Sequence, residues 1–247
     1  MPSVCFNWST GCPGSHVEGD ERGCMDITVV GHKRTSLPPE RATLHLTVSF
    51  ESGDRTESLN RATASVHEVS ACIHDLEGNG VSPVTWHAVL PITTRSWRPY
   101  SDARALLPMR YAATAVVKVK FRDFQVLTRF AHQVGTIAGV TLHDVEWSLT
   151  EINRRQVTGW VLGQAVDEAR ERALVVARAA GAADVKAVEI ADQGLLSGVS
   201  STAGESFQGG ESRDAALALT TGGENGIDIM PEDVSVEATV HARFTTL

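Results

Sequence analysis

Three of the four cysteines, Cys5, Cys12 and Cys24, stand with His16 in a C-x6-C-x3-H-x7-C arrangement near the N-terminus. Thiolates and an imidazole are zinc ligands, but zinc sites normally include a closely spaced pair such as C-x2-C, and this set has none. The expectation is an unstructured leader over residues 1–24, with no metal. A second candidate is the trio His45, His241 and Glu237, which would gather around a metal only if their two strands were neighbours. Nothing in the spacing requires that, so solvated surface histidines are expected. A third is the basic stretch Arg95, Arg98, Arg104, Arg110, Lys118, Lys120 and Arg122, interleaved with Trp97, Tyr100 and Tyr111. Cations with stacking aromatics suit single-stranded nucleic acid, whereas paired surface charges are the plainer reading. For covalent or phosphoryl chemistry there is no G-x-S-x-G elbow, no Walker loop, no G-x-G-x-x-G and no H-E-x-x-H. These absences do not exclude an enzyme, but they leave no catalytic residue and no cofactor to name.

The elements that would position such groups follow from periodicity. Leu44, Leu46, Val48 and Phe50 alternate with Thr43, His45, Thr47 and Ser49, which is the signature of a half-buried strand. The same alternation runs through Val84–Thr94, Tyr111–Phe121, Val140–Leu149 and Val234–Phe244, and shorter strands are read at Asp26–Gly31 and Val185–Ala191. His143 falls in with Val145 and Trp147 on this count. Pro38-Pro39 places a loop over Lys33–Glu40. Helices are read after Asp54 or Thr56, with the apolar stripe Leu59, Ala62, Val66, Val69, Ile73 and Leu76, and after Asp123. Cys72 sits on the first of these as a buried thiol. A third begins between Glu151 and Gly159, with the face Leu162, Ala165, Val166, Ala169, Ala173, Val176 and Ala180. From Gln193 to Asn225 the chain turns to Gly, Ser and Thr and loses its period, so a mobile loop is expected there. Strands with one wet face argue for an α+β fold: a mostly antiparallel or mixed sheet with helices packed on one face.

The 247 residues can bury a core without a staple, and 42% hydrophobic with 21% charged residues is ordinary for a globular chain. The net charge of -8 disfavours non-specific contact with nucleic acid or an anionic membrane. No apolar run approaches a membrane span, and the leader lacks the pattern of a secretory signal. A cytoplasmic location is therefore expected, with no membrane partner.

Five segments, in order, resemble the SIMPL family. Ile27-Thr28-Val29-Val30-Gly31 is similar to the family's opening strand and glycine. Pro39-Glu40-Arg41-Ala42 resembles its P-D-x-A, with Glu where Asp is usual. Arg110-Tyr111-Ala112-Ala113 resembles G-Y-x-A without the glycine. Ala165–Gly181 resembles the helix with its A-x-x-x-A-R-x-x-A-x-x-x-A-x-x-x-G rhythm. Pro231–Phe244 resembles the closing P-G-x-x-x-V-x-A-x-V-x-V-x-F strand, with Glu232 in place of Gly. The resemblance covers about residues 26–247. It implies a domain that begins at about Met25. Bacterial relatives are mostly exported envelope proteins, some tied to oxidative-stress tolerance or assembling into large rings, and a mammalian relative is a kinase-associated adaptor. None has an established reaction. The missing export signal departs from the bacterial pattern.

Residues and resemblance together predict a non-enzymatic, homo-oligomeric interaction protein, with a further protein partner and a role in stress as expectations that the resemblance adds. The alternative is a small-molecule-binding protein or enzyme with a pocket between sheet and helices. Trp86, Trp97 and Trp147 are the expected aromatic anchors of an interface, and Glu237 and Arg243 its expected charged pair.

Overall fold

The computed structural model describes residues 24–78, 82–99, 107–192, 194–197 and 229–247. The expected leader, Cys24 apart, and all of the expected loop but residues 194–197 lie outside these. So do Cys5, Cys12, His16, Tyr100 and Arg104.

The chain builds two antiparallel sheets, each covered on one face by helix. In the first, β1 (Asp26–Leu37), β8 (Val234–Thr246) and β7 (Val185–Asp192) stand in the order β1-β8-β7. The second has the order β3-β5-β2-β6, from β2 (Arg41–Ser52), β3 (Val84–Val89), β5 (Arg110–Phe121) and β6 (Val140–Ser148), with β4 (Thr93–Trp97) also paired to β5. The fold is thus α+β, as the alternation predicts, and where a mostly antiparallel or mixed sheet is expected both sheets are antiparallel. What the alternation could not show is the division of the strands between two sheets.

Helices α1 (Arg55–Glu77) and α2 (Phe124–Gly135) cover the larger sheet. Asp54 caps α1 by accepting from the Thr56 N–H, and Asp123 caps α2 by accepting from Gln125 and Val126. Leu44, Leu46 and Val48 of β2, with Val117, Val119 and Phe121 of β5, are buried against Val69 and Ile73 of α1 and against Leu127 and Phe130 of α2. The opposite face of this sheet carries Thr43, His45, Thr47 and Ser49.

Helix α3 (Glu151–Ala179) lies on the smaller sheet. Its buried row is Val161, Ala165, Ala169, Ala173 and Ala177, one residue every four. Leu162 and Val176, expected in this face, are 41% and 46% exposed instead. The alanines bring the helix backbone down onto β1. A Cβ added at Gly31 would stand 1.9 Å from the Ala165 carbonyl oxygen, so only glycine fits there.

Three local expectations are corrected. β1 continues to Leu37, because β8 pairs with it residue for residue from Asp26↔Thr245 to Leu37↔Val234; only Pro38-Pro39 and Glu40 remain between β1 and β2. The single strand expected over Val84–Thr94 is broken around Pro91, which has no N–H to pair. A register shift between β2 and β6 puts His143 on the wet face, donating to or accepting from Thr47 Oγ1 at 2.8 Å, while Leu142 and Val145 both pack on the core.

Candidate functional site

The face of the smaller sheet that no described helix covers is a lattice of polar side chains. Even-numbered residues of β1 point to it, since Ile27, Val29 and Gly31 point to α3, and so do the odd-numbered residues of β8. His32 meets Thr239 at 3.2 Å, Arg34 donates to Ser235 at 3.0 Å, and Ser36 lies 3.3 Å from Ser235. Glu237 stands opposite Arg34 and is exposed. Arg243 is already engaged: its guanidinium lies 3.5 Å from Glu189 and donates to the Ser197 carbonyl at 2.5 Å. Glu189 in turn accepts from Ser197, whose hydroxyl and backbone N–H hold its carboxyl below the usual carboxylate range. Arg243 and Glu189 thus tie Gly194–Ser197, the start of the expected loop, to the sheet.

The outer edge of β1 is also occupied at its middle. Arg172 of α3 donates to the Val30 carbonyl at 2.9 Å, and the His32 N–H donates to Glu168 at 2.7 Å. These side chains use backbone groups that an exposed edge would otherwise offer to another strand.

The two sheets are joined at Glu40. Its carboxylate accepts from the backbone N–H and hydroxyl of Thr150, both at 2.7 Å, and from Asn153 at 2.5 Å. Its own N–H donates to the Ser148 carbonyl at 3.0 Å. Thr150 is the N-cap of α3 and makes no cap bond with its own side chain. Glu40, from the other inter-sheet connection, instead holds this N-cap residue in place by accepting from its N–H and its hydroxyl. The Thr150 N–H, then its hydroxyl, hold the Glu40 carboxyl below its usual range against the opposing effect of burial, with Asn153 and Arg41 adding to the lowering.

The expected anchors are scattered across these surfaces. Trp86 is 50% exposed on the outer face of the larger sheet, directly across from Lys120. Trp97, on β4, carries the Arg95 guanidinium 5.5 Å from its ring centroid. Trp147 is half-buried on the core side and meets Phe124 edge-on at 5.0 Å. Glu237 and Arg243 belong to the other sheet. The structure therefore brings Glu237 and Arg243 to one face and none of the three tryptophans to it. Aromatic and apolar exposure near that sheet comes from residues that the pattern did not single out: Trp160, with Lys33 Nζ 5.8 Å from its ring centroid, and Ile152. A count of the α3 row at positions 152, 156 and 160 would have found them.

His45 and His241 are on different sheets, and His45 lies 3.4 Å from Glu146 rather than near Glu237. Among the described residues no three His, Cys, Asp or Glu side chains gather in a way that could hold a metal. No described helix is long and apolar enough to cross a membrane. One shallow groove of about 380 Å³ runs between α1 and α2, with Asp75, Arg129 and Gln133 over Leu76, Val126 and Phe130. It lies between two helices, not between sheet and helices. Gln133 also donates to the Cys72 thiol at 3.3 Å.

The fold and its faces define a class: a two-sheet α+β protein whose polar groups are spread over open sheet surfaces. The family model described as SIMPL, protein of unknown function (DUF541), matches residues 27–244. The chain belongs to the SIMPL family. No curated protein matches it.

Proposed function

We propose that this is a non-enzymatic interaction protein that works as a homo-oligomer. The observation that carries this reading is the apolar surface of the smaller sheet and its helix. One helix over three strands, with four alanines in its buried row, secures little core area. Yet Ile152, Trp160, Leu162 and Val175 of α3, and Val188 and Ile190 of β7, remain between 41% and 71% exposed. Large exposed apolar side chains concentrated on a thin lobe are what self-association covers. The polar lattice beside them, with Glu237 and Arg34 at its surface, supplies register rather than strength.

Light scattering over a concentration series tests the reading. A mass above that of one chain is expected at tens of micromolar, and a strictly monomeric mass there would sink it. A cytoplasmic location, unlike that of most bacterial relatives, and a stress role, like that of some of them, are parts of the same proposal. Fractionation of the native protein tests the first. Survival of cells lacking it under oxidant tests the second.

A further inference from the structure

We propose that the outer face of the larger sheet binds a phosphate-bearing small ligand, of mononucleotide type, over Thr43, His45, Lys118 and Lys120. Pairing places these side chains. Thr43 stands opposite Lys120 and His45 opposite Lys118 across β2 and β5, all on the face away from α1 and α2. Trp86 stands opposite Lys120 on its other side, and Glu146 opposite Thr43. One row across four strands therefore reads Trp86, Lys120, Thr43, Glu146.

The polar groups of this face fall into two halves. In one, Ser49 lies 3.1 Å from Thr114 and His143 lies 2.8 Å from Thr47, so the side chains satisfy one another. In the other, Thr43 Oγ1, His45 Nε2 and Ser148 Oγ are shielded and have no hydrogen-bond partner among the described residues. Thr43 is only 3% exposed, and Glu146, at 3.4 Å from His45 Nε2, is not placed to bond it. Shielded polar atoms without partners are rare and costly in folded proteins, and one physical account is a missing ligand. Lys118 and Lys120 are half-buried beside them, and neither has an ion-pair partner among the described residues.

The charges select the ligand. The ammonium groups of Lys118 and Lys120, with the Arg41 guanidinium opposite Ser148, flank Thr43 and His45 against the carboxylate of Glu146, which favours an oxyanion over a cation. A phosphate offers acceptors to both lysines and to the Thr43 hydroxyl. Trp86 adds an exposed ring one strand away, on which a planar base can stack. Glu146, at the other end of the row, and Ser148, opposite Arg41 beside it, can pair with hydroxyl or amine groups. The flexible stems of Lys118, Lys120 and Glu146 allow them to move aside on entry. An open sheet face encloses less of a ligand than a cleft does, so the dissociation constant is expected at about 0.1–1 mM.

The experiment titrates the full chain at low salt with adenosine monophosphate and, separately, inorganic phosphate, followed by NMR shifts and calorimetry. Saturable binding of both is expected. Lys118→Ala with Lys120→Ala should weaken both at least tenfold. Trp86→Ala should weaken the nucleotide and leave phosphate unchanged; equal effects on the two would overturn the mononucleotide assignment. Thr43→Val should weaken phosphate binding while the free protein melts no lower than wild type, because the hydroxyl has no partner to lose. Absence of saturable binding up to about 10 mM overturns the proposal, since any weaker site is non-specific. So does binding that survives loss of both lysines, or a Thr43→Val variant that melts lower yet binds phosphate as before.

Discussion

Replacing Glu40 by Ala should loosen the joint between the two sheets, and the size of the effect can be worked from its contacts. The carboxylate accepts three hydrogen bonds, two of them at the N-cap of α3. Hydrogen bonds to a charged group contribute about 1.5–3 kcal/mol net, and removing a negative charge from a helix N-terminus costs about 0.3–1 kcal/mol. Glu40 is partly exposed, so solvent screens the charge and water can replace some donors. The expected loss is therefore about 2 kcal/mol at pH 7, or roughly 4–8 °C in melting temperature for a chain of this size. The sign of the pH dependence follows from the lowered folded-state pKa. Unfolded, the group titrates near about 4.3, so its stabilising contribution is present in full above that value and fades as pH falls through the lower folded value. Thermal melts of wild type and Glu40→Ala from pH 7 down to about pH 3 should thus converge at the acid end. A difference below about 0.5 kcal/mol at pH 7, or one that stays constant across the range, would refute the reasoning.

Further outcomes are expected elsewhere in the molecule. Gly31→Ala should cost about 3 kcal/mol or more, or prevent folding, because its Cβ would meet the Ala165 carbonyl oxygen at 1.9 Å; denaturant melts read this directly. The pair Ile152→Asp and Trp160→Glu should leave the melting temperature of the monomeric chain nearly unchanged, both sites being exposed, but abolish assembly measured by light scattering. Burial, then Asp75 and Glu68, push the Cys72 thiol up, so it should alkylate more slowly than the exposed Cys24, with the gap closing only as pH rises beyond the ordinary thiol range. Peptide-resolved mass spectrometry after timed alkylation checks this; equal rates at neutral pH would contradict it.

Much of the architecture was legible in local pattern. Alternation marked the half-buried strands because a side-chain period of two is a property of the strand itself, and Asp54 and Asp123 announced their helices because caps act within a turn. The ordered words from Ile27 to Phe244 were sufficient to suggest the family. Tertiary structure decided what depends on distant partners. β1 runs to Leu37 because β8 offers twelve residues to pair with it, a fact absent from Lys33–Leu37 themselves. The β6 irregularity turned His143 to the wet face, which strict alternation could not foresee. Glu40 read as a departure from P-D-x-A, and only the approach of Thr150 and Asn153, 110 and 113 residues away, made it the joint between the sheets. The division into two sheets parted His45 from His241, and it set Trp86 and Lys120 beside a Thr43 that has no partner. Period and capping act over a few residues and so appear in the sequence. Which strands become neighbours is settled by packing across the whole chain, and the composition of every open face follows from that.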